Sequence, residues 1–491
     1  MEIKTQVSDA ATEQARVEPK TQNKPGLEQS YRQNNLFYSQ KFHDLMLDLP
    51  LSCESHYLEQ SAFWQNYRQK YRIAPLPFII SKELVGKFDA FIKPLTDVLY
   101  KAIYTYFGDD QQKFATYFND SPMVYELLKT TPFNSKDVFI RHDAVFSGGE
   151  LKLMEINAGS SIGGWQHDWI SEVFGEALAA NRKTATWQLK FNNVTRNLFD
   201  AIGRSIKHAN PAATGNILFY DHDDGDYDMA ELKSNMQKLY RSLDQFDDGK
   251  LLFFNDHTAL EFLSDGGVQY QGNIIDAVIL SVPITLQFPV SFYTKLMSSF
   301  IRGKLIFPDN FFHTLLGNKL LFALLHEVSL LDRLDDKTRD FIERYIPWTA
   351  KTNVDTVCWQ GQSISLEELL LSQKDRFVLK KAKSSQGADV YLGRDLEQQQ
   401  WRDLVAELLT ENDWIAQEYC VPDPVIGCCE NTESGVYQPV WGIFDTGNQY
   451  GGAFVRAKLM DHGSGVINSA NGAVEFLVYE EVNNYKNRLV V

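Results

Sequence analysis

A chain of 491 residues has length for about three domains and a sizeable core. Its 32 Phe, 22 Tyr and 9 Trp argue for a densely packed globular protein and against a disordered one. A net charge of −16 and a pI near 5.1 argue against a nucleic-acid binder, which would carry a basic stripe.

Residues 1 to 34 are polar, hold almost no large apolar side chains and predict a disordered tail without an export signal. The longest apolar stretch, Ala277 to Val290, is interrupted by Pro283 and Gln287 and is too short to span a bilayer. Cys53, Cys358, Cys420, Cys428 and Cys429 form no CxxC pair, so neither a zinc site nor a thioredoxin-type motif is supported. These features predict a soluble cytoplasmic protein with reduced thiols and no membrane partner.

From 35 to 135 apolar residues recur at helical spacing, as in Phe88, Phe91, Leu95, Leu99 and Ile103. A β-hairpin follows, with Val138, Phe139 and Ile140 leading in, a Gly148-Gly149 turn, and Leu151, Leu153 and Met154 leading out. A three-residue loop, Gly148-Gly149-Glu150, would set Asp143 opposite Glu155 and Arg141 opposite Asn157. Strand side chains alternate, so Glu155 and Asn157 share a face. Two carboxylates, an amide oxygen and a guanidinium suit a magnesium-bound phosphorylated substrate, because Mg²⁺ takes hard oxygens and shares its shell with phosphates. Ordinary surface charge is the plainer reading. The run Gly159-Ser160-Ser161-Ile162-Gly163-Gly164 favours the site, since small residues let a ligand approach the backbone.

A helical stretch from 165 to 208 closes this region, and an α/β unit begins near 210. Ile217 to Tyr220, Leu251 to Phe254 and Ala277 to Ser281 predict strands, Met229 to Phe246 a helix, and Val268 to Gln271 a hairpin arm. The cluster Asp221 to Asp226 resembles a calcium loop, but its glycine is at position five and Leu232 stands at position twelve. A solvated turn is the better reading. A helix from 312 to 330 carries Lys319. Phe377 to Lys380 and Val390 to Leu392 predict strands around the polar loop Lys381 to Asp389, in which Ser385, Gln386 and Gly387 can offer amides to phosphates while Lys380 supplies charge. Trp414 to Tyr419 is a further strand, and Gln417, Glu418, Tyr419 and Cys420 can present backbone groups to an adenine edge. Val440 to Ile443, Gly451 to Lys458 and Val474 to Val478 predict an antiparallel C-terminal region, with Arg456 and Lys458 on one face. These features divide the chain at 34/35, 209/210, 310/311 and 425/426.

From residue 136 to the C-terminus, these motifs resemble the ATP-grasp superfamily, in the circularly permuted branch of eukaryotic-type glutathione synthetase and glutathionylspermidine-synthetase-like proteins. Arg141-His142-Asp143, Glu155-Ile156-Asn157 and the Ser/Gly run resemble the metal and substrate segment. Gly317-Asn318-Lys319 and Phe377 to Lys380 resemble the two ATP lysines, and Ile415 to Tyr419 resembles the adenine hinge. Gly442-Ile443-Phe444, Arg456-Ala457-Lys458, Gly465-Val466 and Gly472-Ala473 resemble the closing segment. Ser384 stands where that branch places a metal-binding glutamate, and Asp143 is the candidate replacement.

The resemblance implies an α+β ATP-grasp fold with an inserted α/β substrate lobe and a helical N-terminal region. It also implies an ADP-forming carboxylate–amine ligase using ATP and Mg²⁺ on small-molecule substrates. Asp143, Glu155 and Asn157 would hold the metal, and Lys319, Lys380 and Lys458 would serve the nucleotide. Arg141 and Arg456 would steady the transferring phosphoryl and acyl-phosphate charge, while Ser160, Ser161, Asn468 and Asn471 would touch substrate. A nucleotide-binding protein without turnover, a thiol acceptor and a phosphotransferase are the competing readings. A homodimer is left open.

Overall fold

The computed structural model describes residues 62–180, 184–222, 229–282, 288–384, 387, 389–427, 435–460 and 465–482. Helix α1 (Lys82–Phe107) starts where the Ser81 side chain accepts from the Leu84 amide, and it buries Leu84, Phe88, Phe91, Leu95, Leu99 and Ile103. That stripe packs on the back of a nine-stranded sheet, with Phe88 5.7 Å from Trp441 and Phe91 5.3 Å from His142, ring to ring.

The sheet is built on β1 (Phe139–Ser147) and β2 (Glu150–Ala158), the expected hairpin, and three C-terminal strands come to lie beside it. In chain order the other strands that matter are β3 (Ile217–Tyr220), β4 (Leu251–Phe254) and β5 (Ala277–Ile279). Then come β6 (Thr349–Lys351), β7 (Phe377–Lys381), β8 (Val390–Leu392), β9 (Trp414–Glu418), β10 (Gly435–Thr446), β11 (Tyr450–Leu459) and β12 (Val474–Glu481). The large sheet runs β12-β11-β10-β1-β2, all antiparallel, with Arg72–Ile73 parallel to β12 at its far edge. Strands β5-β3-β4 form a small parallel sheet, joined from β3 to β4 through helix α3 (Met229–Arg241). Strands β6-β9-β7-β8 form an antiparallel sheet over a core containing Trp401, Phe377 and Leu369.

Three expectations change. The helical stretch 165–208 is interrupted: a 3-10 turn at Trp165–Trp169 and a helix at Ser171–Ala180 precede a short strand, Leu189–Phe191, and then α2 (Val194–Ala209). Asp168 accounts for part of this break, because its carboxylate accepts the amides of Val194 and Thr195 and so anchors the start of α2. The expected helix at 312–330 is three short ones, Phe311–Leu316, Leu320–Leu324 and Val328–Leu331. Residues 331–376, where no element was read, hold a helix at Asp336–Tyr345, strand β6, a polar hairpin at Thr356–Trp359 and Gln362–Ser365, and a helix at Leu366–Ser372. The whole tail expected at 1–34 lies outside the described residues, as do Cys53, Asp223 to Asp226, Cys428 and Cys429.

Candidate active site

Asp143 pairs with Glu155 and Arg141 with Asn157, as the sequence predicts, but the loop is shorter than expected. Ser147 pairs with Glu150 across a two-residue Gly148-Gly149 turn, both glycines at positive φ, and Asp423 accepts both of their amides. A β-bulge between Asp143 and Ala144 restores the register, with Met154 the extra residue. A bulge frees one residue from the ladder. The Met154 carbonyl accepts instead from Lys380 Nζ at 3.2 Å, which ties the large sheet to the β6–β9 sheet.

One face of the large sheet gathers the charge. Asp143, 6 % exposed, receives Arg141 Nε on Oδ1 at 2.8 Å and Arg141 Nη2 on Oδ2 at 3.1 Å, and Arg456 Nη2 lies 2.8 Å from the same Oδ2. Burial alone would raise the Asp143 pKa, but the two guanidinium groups outweigh it and hold the carboxyl well below the usual range. Both guanidinium groups also lie near the Phe454 ring, at 5.6 and 5.3 Å. Gly442 and Gly164 make room for that ring. A Cβ on Gly442 would come 2.3 Å from Phe454 and 3.1 Å from Arg141, and one on Gly164, whose φ is +100°, would come 2.5 Å from Phe454. Glu475, directly opposite Arg456, is held by Tyr67 Oη (2.5 Å), His167 Nε2 (2.8 Å) and Ser469 Oγ (2.5 Å). Burial raises its pKa and these partners more than reverse that. Sequence reading passed over Glu475 and His167. The available signal was a lone carboxylate inside the buried run Val474 to Val478, which demands partners.

Two lysines complete the site. Lys319, 3 % exposed, lies 2.8 Å from Glu155 Oε1 and donates to the Ser384 carbonyl at 2.9 Å. Lys380, 7 % exposed, donates to Gln417 Oε1 at 2.7 Å, and Gln417 in turn donates to Thr349 Oγ1. Burial, with Lys319 nearby, pushes the Lys380 pKa down to about 8 against the pull of Glu155. Lys380 is thus buried among neutral carbonyls at the sheet junction. The amides of Glu418 and Tyr419 are already given to the carbonyls of Trp348 and Arg376, and burial pushes the Cys420 thiol up to about 11. A Cβ on Gly387 would come 2.8 Å from Val466 and 3.5 Å from Asn468, so the loop after β7 lies against the segment after β11. The Lys458 amine lies beside Gly465 in that segment. Ser385 and Gln386 lie outside the described residues.

The structure therefore brings Arg141, Asp143, Glu155, Asn157, Lys319, Lys380, Gln417 and Arg456 to one region. Among the described residues no group of three or more His, Cys, Asp or Glu is disposed to hold a metal by itself. Glu155 and Asn157 fit a magnesium that takes most of its shell from phosphates and water, while both Asp143 oxygens serve arginines here. Of the substrate candidates, Ser161 and Asn471 are exposed and Asn468 half-buried. Ser160 is buried, donating to Asp309 Oδ2 at 2.5 Å and accepting from the Ser281 amide at 2.8 Å.

No family model matches this chain, and no curated protein matches it by sequence. Among solved structures it is similar to a glutathione synthetase-like effector from Globodera pallida in its apo form. The TM-score is 0.52 at 12 % identity, over 84 % of this chain and 90 % of that one. A Methylobacillus flagellatus protein provisionally assigned as a gamma-glutamylcysteine synthetase aligns over 79 % of this chain and 88 % of that one, at 12 % identity and a TM-score of 0.36. The second likeness is too loose to carry an argument. The first, at such low identity, speaks to architecture alone. The chain has a glutathione synthetase-like α+β fold.

Proposed function

We propose that this protein is an ATP-grasp ligase of the circularly permuted kind that joins a carboxylate to an amine and releases ADP. The observation that carries the reading is the assembly of Arg141, Asp143, Glu155 and Arg456 on one sheet face with Lys319 and Lys380 against it. These residues come from widely separated parts of the sequence. A fold of the glutathione synthetase-like kind supports it.

In this reaction a substrate carboxylate oxygen attacks the γ-phosphorus of ATP, the bond to the β-phosphate oxygen breaks, and ADP leaves. The amine then adds to the acyl phosphate carbon, loses a proton, and inorganic phosphate departs, leaving an amide. No protein nucleophile is required; the chain supplies positioning and charge. Lys319 and Lys380 bind the nucleotide phosphates, and Arg141 and Arg456, held in place by Asp143, face the acyl phosphate. Glu155 and Asn157 would hold magnesium, which would offset phosphate charge when bound. Gln417 to Cys420 flank the adenine. Lys458 and the segment at Val466 to Asn471, against which Gly387 lies, cover the phosphates and exclude water that would hydrolyse the intermediate.

ADP release measured with pools of carboxylates and amines tests the reading. Release requiring one member of each pool, and abolished by chelating magnesium, is expected. Release with neither pool, or none with any combination, would replace it with a binding protein or a phosphotransferase.

A further inference from the structure

Beside Arg141 the site face runs into a partly open cavity whose walls are apolar. Phe139, Ile162, Trp165, Val194, Phe219 and Phe444 contribute to it, so it lies among the large sheet, α2 and the parallel β5-β3-β4 sheet. Its continuity with the charged site is local and specific. Phe444 is the cross-strand partner of Arg141, and the Arg141 guanidinium donates to the carbonyl of Gly163, the residue after Ile162. The cavity therefore adjoins both the strand that pairs with Arg141 and the loop whose carbonyl holds the guanidinium.

The polar groups around the cavity are few, and those of Ser160, Thr195 and Asp445 are buried. The Ser160 hydroxyl is taken by Asp309 and the Ser281 amide. The Thr195 hydroxyl is buried without a hydrogen-bond partner, and it is the Thr195 amide that Asp168 accepts. The Asp445 carboxylate lies 3.6 Å from His142 on the opposite face of the sheet. A polar substituent entering here would give up its water without compensation, whereas a hydrocarbon would gain by burial.

We propose that this cavity takes the hydrocarbon side chain of the carboxylate substrate, so that the enzyme selects an apolar acid. The carboxylate sits at Arg141 and Arg456, and its short hydrocarbon tail points toward Phe444 and Phe219. The inference rests on the ligase reading for the role of the carboxylate, and it adds the substrate class.

Calorimetric titration of the full chain, with magnesium and a non-hydrolysable ATP analogue, separates the two. The probes are propanoate, 4-methylpentanoate, 3-phenylpropanoate and succinate. Affinity should rise about fourfold for each methylene that enters the cavity, and succinate should bind more weakly than an apolar acid of equal length. Leu198, half-buried on α2 and part of the lining, sets the size. Leu198→Phe should weaken 4-methylpentanoate at least tenfold relative to propanoate. Leu198→Ala should shift preference toward the larger acid, an independent readout should the first variant fold poorly. Succinate binding as tightly as the apolar acids, or a ranking that neither variant alters, would overturn the assignment. Selective apolar binding without ADP release in the presence of amines would instead overturn the ligase reading and leave the cavity assigned.

Discussion

Lys380 has two carbonyl partners and a depressed pKa, so burying its charge is costly in the empty protein and is offset when phosphates arrive. Lys380→Met removes that buried charge but leaves Gln417 Oε1 and the Met154 carbonyl without their donor. These effects oppose, so the melting temperature should move little, while ATP binding should weaken by about 1.5–3 kcal/mol through loss of a charged contact. Unchanged ATP affinity by calorimetry in a well-folded variant would remove Lys380 from the nucleotide site. His313, unremarked in the sequence, is as deeply buried: its Nε2 accepts the Phe139 amide and its Nδ1 lies 3.3 Å from Asn310 Oδ1, an arrangement for the neutral ring. Burial pushes its pKa down to about 3. Because the folded value lies below the unfolded one, near 6.5, the unfolded chain takes up the proton first as pH falls. The stability that His313 contributes is therefore complete above about pH 6.5 and lost progressively toward pH 3. Between pH 7 and 5 the natural chain should lose about 2 kcal/mol more than His313→Gln in chemical denaturation. Equal losses would mean that the ring is not held neutral.

At the scale of elements, the charged face depends on glycines as much as on charges. Gly442→Ala would drive a methyl group into Phe454, a ring packed beside both guanidinium groups. It should cost about 1–3 kcal/mol of stability by overpacking and reduce ADP formation more than the melting temperature alone explains. Phe454→Leu added to Gly442→Ala should recover part of both. Full activity in Gly442→Ala would show that the ring yields without moving the arginines. The hairpin carrying this face was legible because alternation and the double glycine are local signals. The three-residue loop was inferred wrongly and still gave the right pairs, since the bulge shifts the register by the residue that the tighter turn removes. That bulge was itself written in the apolar spacing, which changes from Leu151 and Leu153 to Ile156. Other elements were set by distant contacts. The helix expected at 312–330 breaks because the Lys319 amide is given to the Ala382 carbonyl and the Asn318 side chain recaps the chain at Leu320. Likewise the polar hairpin at 356–365 turns at Gln360-Gly361, and its strands carry too little apolar alternation to announce themselves.

Across the whole molecule, the charged groups divide between two sheets that Lys380 joins. The large sheet supplies Arg141, Asp143, Glu155 and Arg456, and the β6-β9-β7-β8 sheet supplies Lys380 and Gln417. Lys319, between them, contacts Glu155 on one side and the Ser384 carbonyl on the other. A nucleotide seated on both lysines would restrain β7, the segment after it and β9 together. The parallel β5-β3-β4 sheet lies elsewhere, facing the apolar cavity with Phe219 and Ile279, and we assign it none of the nucleotide-binding residues. Hydrogen exchange should report this division, because protection follows the opening free energy of each cooperative unit and a ligand raises it only in the units it joins. Adding magnesium and ATP should slow exchange across 377 to 420 and at Glu155 to Asn157 far more than across 215 to 281. A later addition of 4-methylpentanoate should then protect 215 to 281 and 159 to 165. Nucleotide protection concentrated in 215 to 281 would place ATP on the parallel sheet, and the division of labour between the two regions would have to be reversed.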